Sequence, residues 1–264
     1  MTTDPDTDTG IDNDIDEAKD WQGAEIDCAA CAHHDDRLAA GKCQLKRACV
    51  HDRYARRIDR FFDWNPDLAN DYLTHPHFEV RAIASKEADV FHLPRLLDDP
   101  DETVRWNAVR RLPQRYLLML RQDPHREVRI RVANRLDADS LGPMMRDEDY
   151  YVRMVVARRI APGMLPAMMG DEEPEVRRLV ARRIDGAYLT RMVADSDPAV
   201  RLEVAQLLAP GQLHRLRQDP DWRVRHEVAS RIDPDLLQPM LGDPDALVAE
   251  AARQRFSEDK EAGS

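Results

Sequence analysis

Val128-Arg129-Ile130-Arg131-Val132-Ala133-Asn134-Arg135-Leu136 opens with a dipeptide that returns at Val80-Arg81, Val104-Arg105, Val152-Arg153, Val176-Arg177, Val200-Arg201 and Val224-Arg225, with Val248 closing the series. The spacing is 24 residues without a slip. A period of that size marks a stacked architecture, in which no unit buries its own apolar side and neighbours complete the core. Counting the valine as position zero, position 13 is leucine in Leu93, Leu117, Leu141, Leu165, Leu189, Leu213 and Leu237. Position 16 is leucine or methionine from Leu96 to Met240, and position 19 is aspartate from Asp99 to Asp243. Asn65-Pro66-Asp67-Leu68 and His75-Pro76-His77 fit a degenerate earlier unit, so the repeats begin near residue 65.

One period can be read physically from Asp99 to Pro113. Asp99 suits an N-cap, Pro100 the first helical position, and Asp101 and Glu102 the positive end of the helix dipole. Val104, Ala108 and Leu112 then form an i, i+4, i+8 stripe that Pro113 ends, predicting about three and a half helical turns. The remainder, such as Asp137 to Arg146, has room for one or two turns. Its apolar pair, Leu141 and Met144, suits a 3₁₀ helix or a single α turn. Paired-helix repeats need about 34 to 40 residues, and the leucine-rich repeat's strand signature is missing. The expected fold is therefore all-α: a solenoid of 24-residue units, each an α-helix plus a short 3₁₀ or α helix.

Two arginine columns run through the units. Position 1 (Arg81, Arg105, Arg129, Arg153, Arg177, Arg201, Arg225) is expected to pair with acids near the helix start or with the position-19 aspartate of a neighbour. Position 7 (Arg111, Arg135, Arg159, Arg183, Arg231, Arg255) falls in the last helical turn, where carbonyls accept and the dipole favours a cation. Stacking would turn that column into a stripe. Arg111, Arg135, Arg159, Arg183 and Arg231 are accordingly the candidate partner face if they lack acidic neighbours.

Ahead of the repeats stand all four cysteines, as Cys28-x2-Cys31-x11-Cys43-x5-Cys49. Four clustered thiols in an otherwise cysteine-free chain read as ligands for a metal or cluster, since a reducing compartment disfavours disulfides. Structural zinc prefers two close pairs, and only the first pair fits. Iron–sulfur clusters tolerate looser spacing because each thiolate takes a different corner of a larger object. On the residues alone, a cluster and one zinc both stay open. His33, His34 and His51 lie beside the thiols as outer neighbours. Residues 42–60 carry a surplus of cations that would stabilise an anionic site or simply face solvent.

The formal charge is −11, of which residues 1–20 carry −7 and residues 257–264 carry −2, leaving −2 for the body. That balance argues against general nucleic-acid binding. The chain divides into an acidic disordered leader (1–20), a cysteine domain (21–64), the solenoid (65–256) and a polar tail (257–264). With neither a membrane span nor a secretory signal, it is expected in the cytoplasm, as a monomer with a protein partner. There is no phosphate loop or nucleophile motif, and His226-Glu227 is a single step where di-iron sites need several, so no enzyme activity is expected.

The cysteine spacing ahead of Val-Arg-x-x-Val-Ala-x-Arg-Leu/Ile units resembles the leucine-rich repeat variant family with its N-terminal iron–sulfur domain. The likeness covers about residues 28–256 and is clearest at Val128 to Leu136 and Val176 to Ile184. It implies alternating α and 3₁₀ helices in a right-handed superhelix, and a [4Fe-4S] cluster on Cys28, Cys31, Cys43 and Cys49. It also suggests a link to nitrogen-fixing metabolism. Departures are Ala249 at position 1, Ala88 at position 8, and residues 56–64. The function this implies is an interaction scaffold whose cluster transfers electrons or senses redox state. The alternatives are a structural cluster or zinc cap on a pure binding module, and nucleic-acid binding through the arginine stripes.

Overall fold

The computed structural model describes residues 17–262, with side chains through residue 259. They form two compact units, divided between Arg135 and Leu136. In the first unit, helices Ala55–Trp64, Phe78–Glu87, Glu102–Val109 and Arg126–Arg135 pack in chain order. In the second, Tyr150–Arg159, Pro174–Ala181, Pro198–Leu207, Trp222–Arg231 and Ala246–Ala262 do the same. Between successive helices run short segments that are mostly 3₁₀, such as Pro162–Met168 and Pro210–Leu216, where a proline opens the segment. Gln114–Leu117 and Gly186–Leu189 are single α turns instead, the latter started by Asp185, whose carboxylate accepts from Ala187 N–H at 2.9 Å.

The column residues build the core. Val80, Val104, Val128, Val152, Val176, Val200, Val224 and Val248 are buried, as are the seven position-13 leucines and the position-16 residues Leu96 to Met240. Each such side chain contributes roughly 1.5–3 kcal/mol when buried. Because these columns sit on both the α-helix and the short helix, a unit's apolar side is closed only by the next unit.

The helices start later than expected. Asp99 is not the N-cap of Glu102–Val109; Asp101 is, accepting from Thr103 N–H at 2.8 Å. The displaced aspartate has another task. Its carboxylate takes a bidentate pair from Arg81, 2.7 Å to each oxygen, and accepts Asp101 N–H at 3.0 Å, which keeps the chain extended through Asp101. The same set recurs at Arg105–Asp123, Arg153–Asp171, Arg177–Asp195, Arg201–Asp219 and Arg225–Asp243. Each arginine also spans backward: Arg105 Nη1 donates to Asp99 O at 2.7 Å, and Arg201 Nη1 to Asp195 O at 2.8 Å. In these five pairs the arginine is thus a rung that joins one aspartate's carbonyl to the next one's carboxylate, while Arg81 takes the His75 carbonyl at 2.8 Å. Bidentate geometry explains why the column holds Arg and not Lys.

Position 7 is tied to backbone carbonyls of the preceding unit. Arg111 Nη1 donates to Ser85 O, Lys86 O and Ala88 O at 3.1, 2.7 and 2.6 Å. Arg135 reaches Val109 O and Leu112 O, Arg183 reaches Ala157 O and Ile160 O, and Arg231 reaches Ala205 O and Leu208 O. Arg159, in the same column, is likewise half-buried. The guanidinium forks of Arg111, Arg135, Arg183 and Arg231 close the carbonyl end of the preceding helix, which its own backbone leaves unsatisfied. Arg183 and Arg231 use both terminal nitrogens there, whereas Arg111 and Arg135 use Nη1. Arg183→Met should lower stability by about 2 kcal/mol, read as a fall in the urea midpoint. Lysine at 183 should recover less than half, since one ammonium does not bridge two carbonyls as the fork does; an unchanged midpoint in Arg183→Met would mean that water serves those carbonyls equally well.

Both ends differ from the expected boundaries. The leader lies outside the described residues as far as residue 16, but residues 17–20 belong to the folded cysteine segment: Arg57 Nη1 donates to Glu17 O at 2.9 Å and Arg53 N–H to Lys19 O at 3.0 Å. The tail expected from residue 257 continues the last helix to Ala262, with Ser257 Oγ donating to Arg253 O at 3.0 Å.

Candidate iron–sulfur site

Two local structures carry the four cysteines. Cys28 and Cys31 flank a turn in which Cys31 N–H donates to Cys28 O at 3.3 Å, and the Asp27 carboxylate braces it by accepting Ala29 N–H at 2.9 Å. Cys43 and Cys49 sit at the mouth of a tight hairpin. Gln44 and Ala48 exchange both backbone bonds, at 2.9 and 2.8 Å, and Lys46 adopts the left-handed conformation, φ 62°, that closes the loop. The next residues outward on the two arms are the cysteines, so five intervening residues bring these thiols together. The wide gap that weakened the zinc pattern is the length this hairpin requires.

The helix Ala55–Trp64 forms the floor. It buries Ile58, Phe61 and Phe62, and Cys49 N–H donates to Arg57 O at 3.1 Å. Arg57 in turn pairs with the wholly buried Asp52 at 2.9 Å. Three side-chain ties join the cysteine segment to the first short helix, Pro66–Tyr72, and its cap. His33 Nε2 lies 2.5 Å from Tyr72 Oη, Arg37 Nη2 donates to Asp67 at 2.7 Å, and the buried Asn65 donates to Lys42 O at 2.7 Å. His33, Phe61, Phe62 and Tyr72 form one ring cluster, with centroids 5.4–6.3 Å apart.

The thiols sense one another. A hydrogen bond to Cys43 and burial push the Cys49 thiol up, while that same bond holds Cys43 down. Burial, then the charges of Cys49 and Cys31, raises Cys28. All four are unbridged and lie within electrostatic reach. Ionising neighbouring thiols brings like charges together, a cost that a metal centre among the sulfurs offsets. Backbone donors are already aimed at it: His33 N–H lies 3.4 Å from Cys31 Sγ, and His51 N–H stabilises ionised Cys49. Burial and the nearby thiols push Tyr72 up to about 12, so its hydroxyl stays protonated beside His33.

The basic surplus of residues 42–60 is largely engaged. Besides Arg57, Arg47 lies over Trp64, Arg53 over Tyr54, and Arg60 donates to Arg47 O at 3.2 Å. None of the three histidines stands in for a cysteine in this arrangement: His33 is held by Tyr72, exposed His34 pairs with Asp35, and burial keeps His51 neutral below its usual range. The buried roles of Asp52 and Asn65 escaped sequence reading. A buried polar residue in a loop has no periodicity to announce it.

These features define a helical repeat protein headed by an iron–sulfur domain. Residues 18–71 match the family model described as the FeS4 cluster of LRV protein. A solved structure, described as a leucine-rich repeat variant with a novel repetitive protein structural motif, is 42% identical, covers 87% of this chain and 98% of its own, and superposes with a TM-score of 0.82. The chain belongs to the leucine-rich repeat variant family, in its iron–sulfur form. Over 97 residues it is also 52% identical to an uncharacterized 27.7 kDa protein in the nifB 3'region of Rhodobacter capsulatus. That alignment takes in 37% of this chain and 39% of the relative's length. Among the described residues no helix is long and apolar enough to cross a membrane.

Proposed function

We propose that Cys28, Cys31, Cys43 and Cys49 hold a [4Fe-4S] cluster, and that the protein is a non-catalytic scaffold exchanging single electrons with a protein partner in the cytoplasm. The observation that carries the reading is the convergence of four thiols from a turn and a hairpin onto one helix floor. The match of residues 18–71 to an FeS4 cluster domain supports iron–sulfur over a single zinc. When bound, the cluster supplies a one-electron centre. The chain's part is to hold it: His33 and His51 N–H groups stabilise sulfur charge, and Asp52–Arg57 fixes the loop after Cys49. Four thiolates leave no iron corner open to a substrate, which favours a carrier over an enzyme.

A second reading, a purely structural cluster, draws on the His33–Tyr72, Arg37–Asp67 and Asn65–Lys42 ties, which make the cysteine segment a lid on the first repeat. Anaerobic purification with iron and sulfide analysis, followed by dithionite reduction and electron paramagnetic resonance, separates the two. About four iron and four sulfide with a reversible one-electron signal support electron exchange. The same metal content without reduction at a cellular potential supports the lid, and one zinc without iron removes both cluster readings.

A further inference from the structure

The four thiols are not equivalent. Cys43 and Cys49 are 8% and 3% exposed, whereas Cys28 and Cys31 are only half-buried. Beside Cys31 opens a cleft of about 240 Å³ whose walls include Asp20, Trp21, Glu25, Asp27 and His51. Trp21, 40% exposed, is held by stacking on the His77 ring at 5.5 Å and 6°. Single-electron transfer slows exponentially with distance. A partner that must come close therefore has to use the side where sulfur meets solvent, and the cleft is where this chain leaves that side open.

The chemistry of the walls fixes the partner's charge. The carboxylate of Asp20 is set by Gln22 and Ala24 N–H groups at 2.9 and 2.8 Å, and that of Asp27 by Ala29 N–H at 2.9 Å. Among the described residues no cation is paired with Asp20, Glu25 or Asp27, so their charge faces whatever enters. The buried thiols instead flank a hairpin that carries Lys46 and Arg47. We propose that the cleft at Cys31 is the docking surface for an electron-exchange protein whose own redox centre is ringed by lysine or arginine.

The proposal rests on the redox reading above, and its test can fail separately. Dithionite-reduced full-length holoprotein is mixed in a stopped-flow with one equivalent of cationic hexaammineruthenium(III) or anionic ferricyanide. In either case one electron leaves the reduced cluster and reduces Ru(III) to Ru(II) or Fe(III) to Fe(II), with no atom or proton transferred. At low ionic strength Glu25→Lys, and separately Asp27→Asn, should lower the ruthenium rate relative to the ferricyanide rate by about threefold to tenfold, and the difference should collapse near about 0.5 M salt. Asp235→Asn, an exposed acid in the repeats, should leave the ratio unchanged. Iron content and the paramagnetic signal are checked first in each variant. Glu25, outside the cysteine turn, keeps the test valid if Asp27→Asn disturbs loading. A cluster that reduces normally but whose probe ratio ignores both substitutions overturns the docking surface alone. One that dithionite cannot reduce removes the redox reading and this proposal with it.

Discussion

Asp219→Ala is expected to lower the free energy of unfolding by about 3–5 kcal/mol, the range for stripping one partner from a buried ion pair. Arg201 and Asp219 are both buried, the guanidinium reaching the two carboxylate oxygens at 2.7 and 2.9 Å. Removing the carboxylate leaves a buried cation with only the Asp195 and Ser196 carbonyls, and it frees Asp221 N–H, which the same carboxylate accepts at 2.9 Å. Asp219→Asn should fall between wild type and alanine, because an amide oxygen can still take the Asp221 N–H while the charge is lost. The double variant Arg201→Met with Asp219→Leu should recover part of the loss by removing the lone charge. It should not reach wild type, since the Asp195 carbonyl then lacks its donor. Urea unfolding of the four proteins checks the order, and a double variant less stable than Asp219→Ala would contradict it.

The ladder also sets an acid limit. The Arg225 guanidinium holds the Asp243 carboxyl below the usual carboxylate range. A carboxyl whose folded value is depressed contributes stability in full above its unfolded value of about 3.9 and loses it as pH falls through the lower folded value. The thermal midpoint should therefore drop below about pH 4, and Asp243→Asn, less stable at neutral pH, should show a shallower drop. Parallel curves for the two proteins would mean that this pair contributes nothing to acid sensitivity.

The second large effect is at the cysteines. Cys49→Ser should reduce iron from about four per chain to below about one on anaerobic purification, because the position is buried, tied to Cys43 and anchored by its amide to the helix floor. Helical signal from the second compact unit should persist, since its valine and leucine columns are buried within it. Cys28→Ser, at the half-exposed edge, should retain more iron than Cys49→Ser. Equal, full loading in both would exclude these thiols as ligands.

Much of this protein is legible in one dimension. A strict period of 24 and a buried valine every period specify helical units that close only against each other, because a helix this short cannot bury its own stripe. The clustering of Cys28, Cys31, Cys43 and Cys49 likewise announces a metal or cluster site without coordinates. Partners separated by many residues were another matter. Position 1 could be paired from the columns, since Arg81 and Asp99 repeat together. Position 7 could not, because the carbonyls that hold Arg111 belong to every residue type and leave no mark in the sequence. Nor does sequence show that Asp101, and not Asp99, caps the helix. Both are good N-caps, and only the packed neighbour takes one of them away. The unequal exposure of the thiols and the cleft at Cys31 also exist only after folding, because they depend on which loop covers which sulfur.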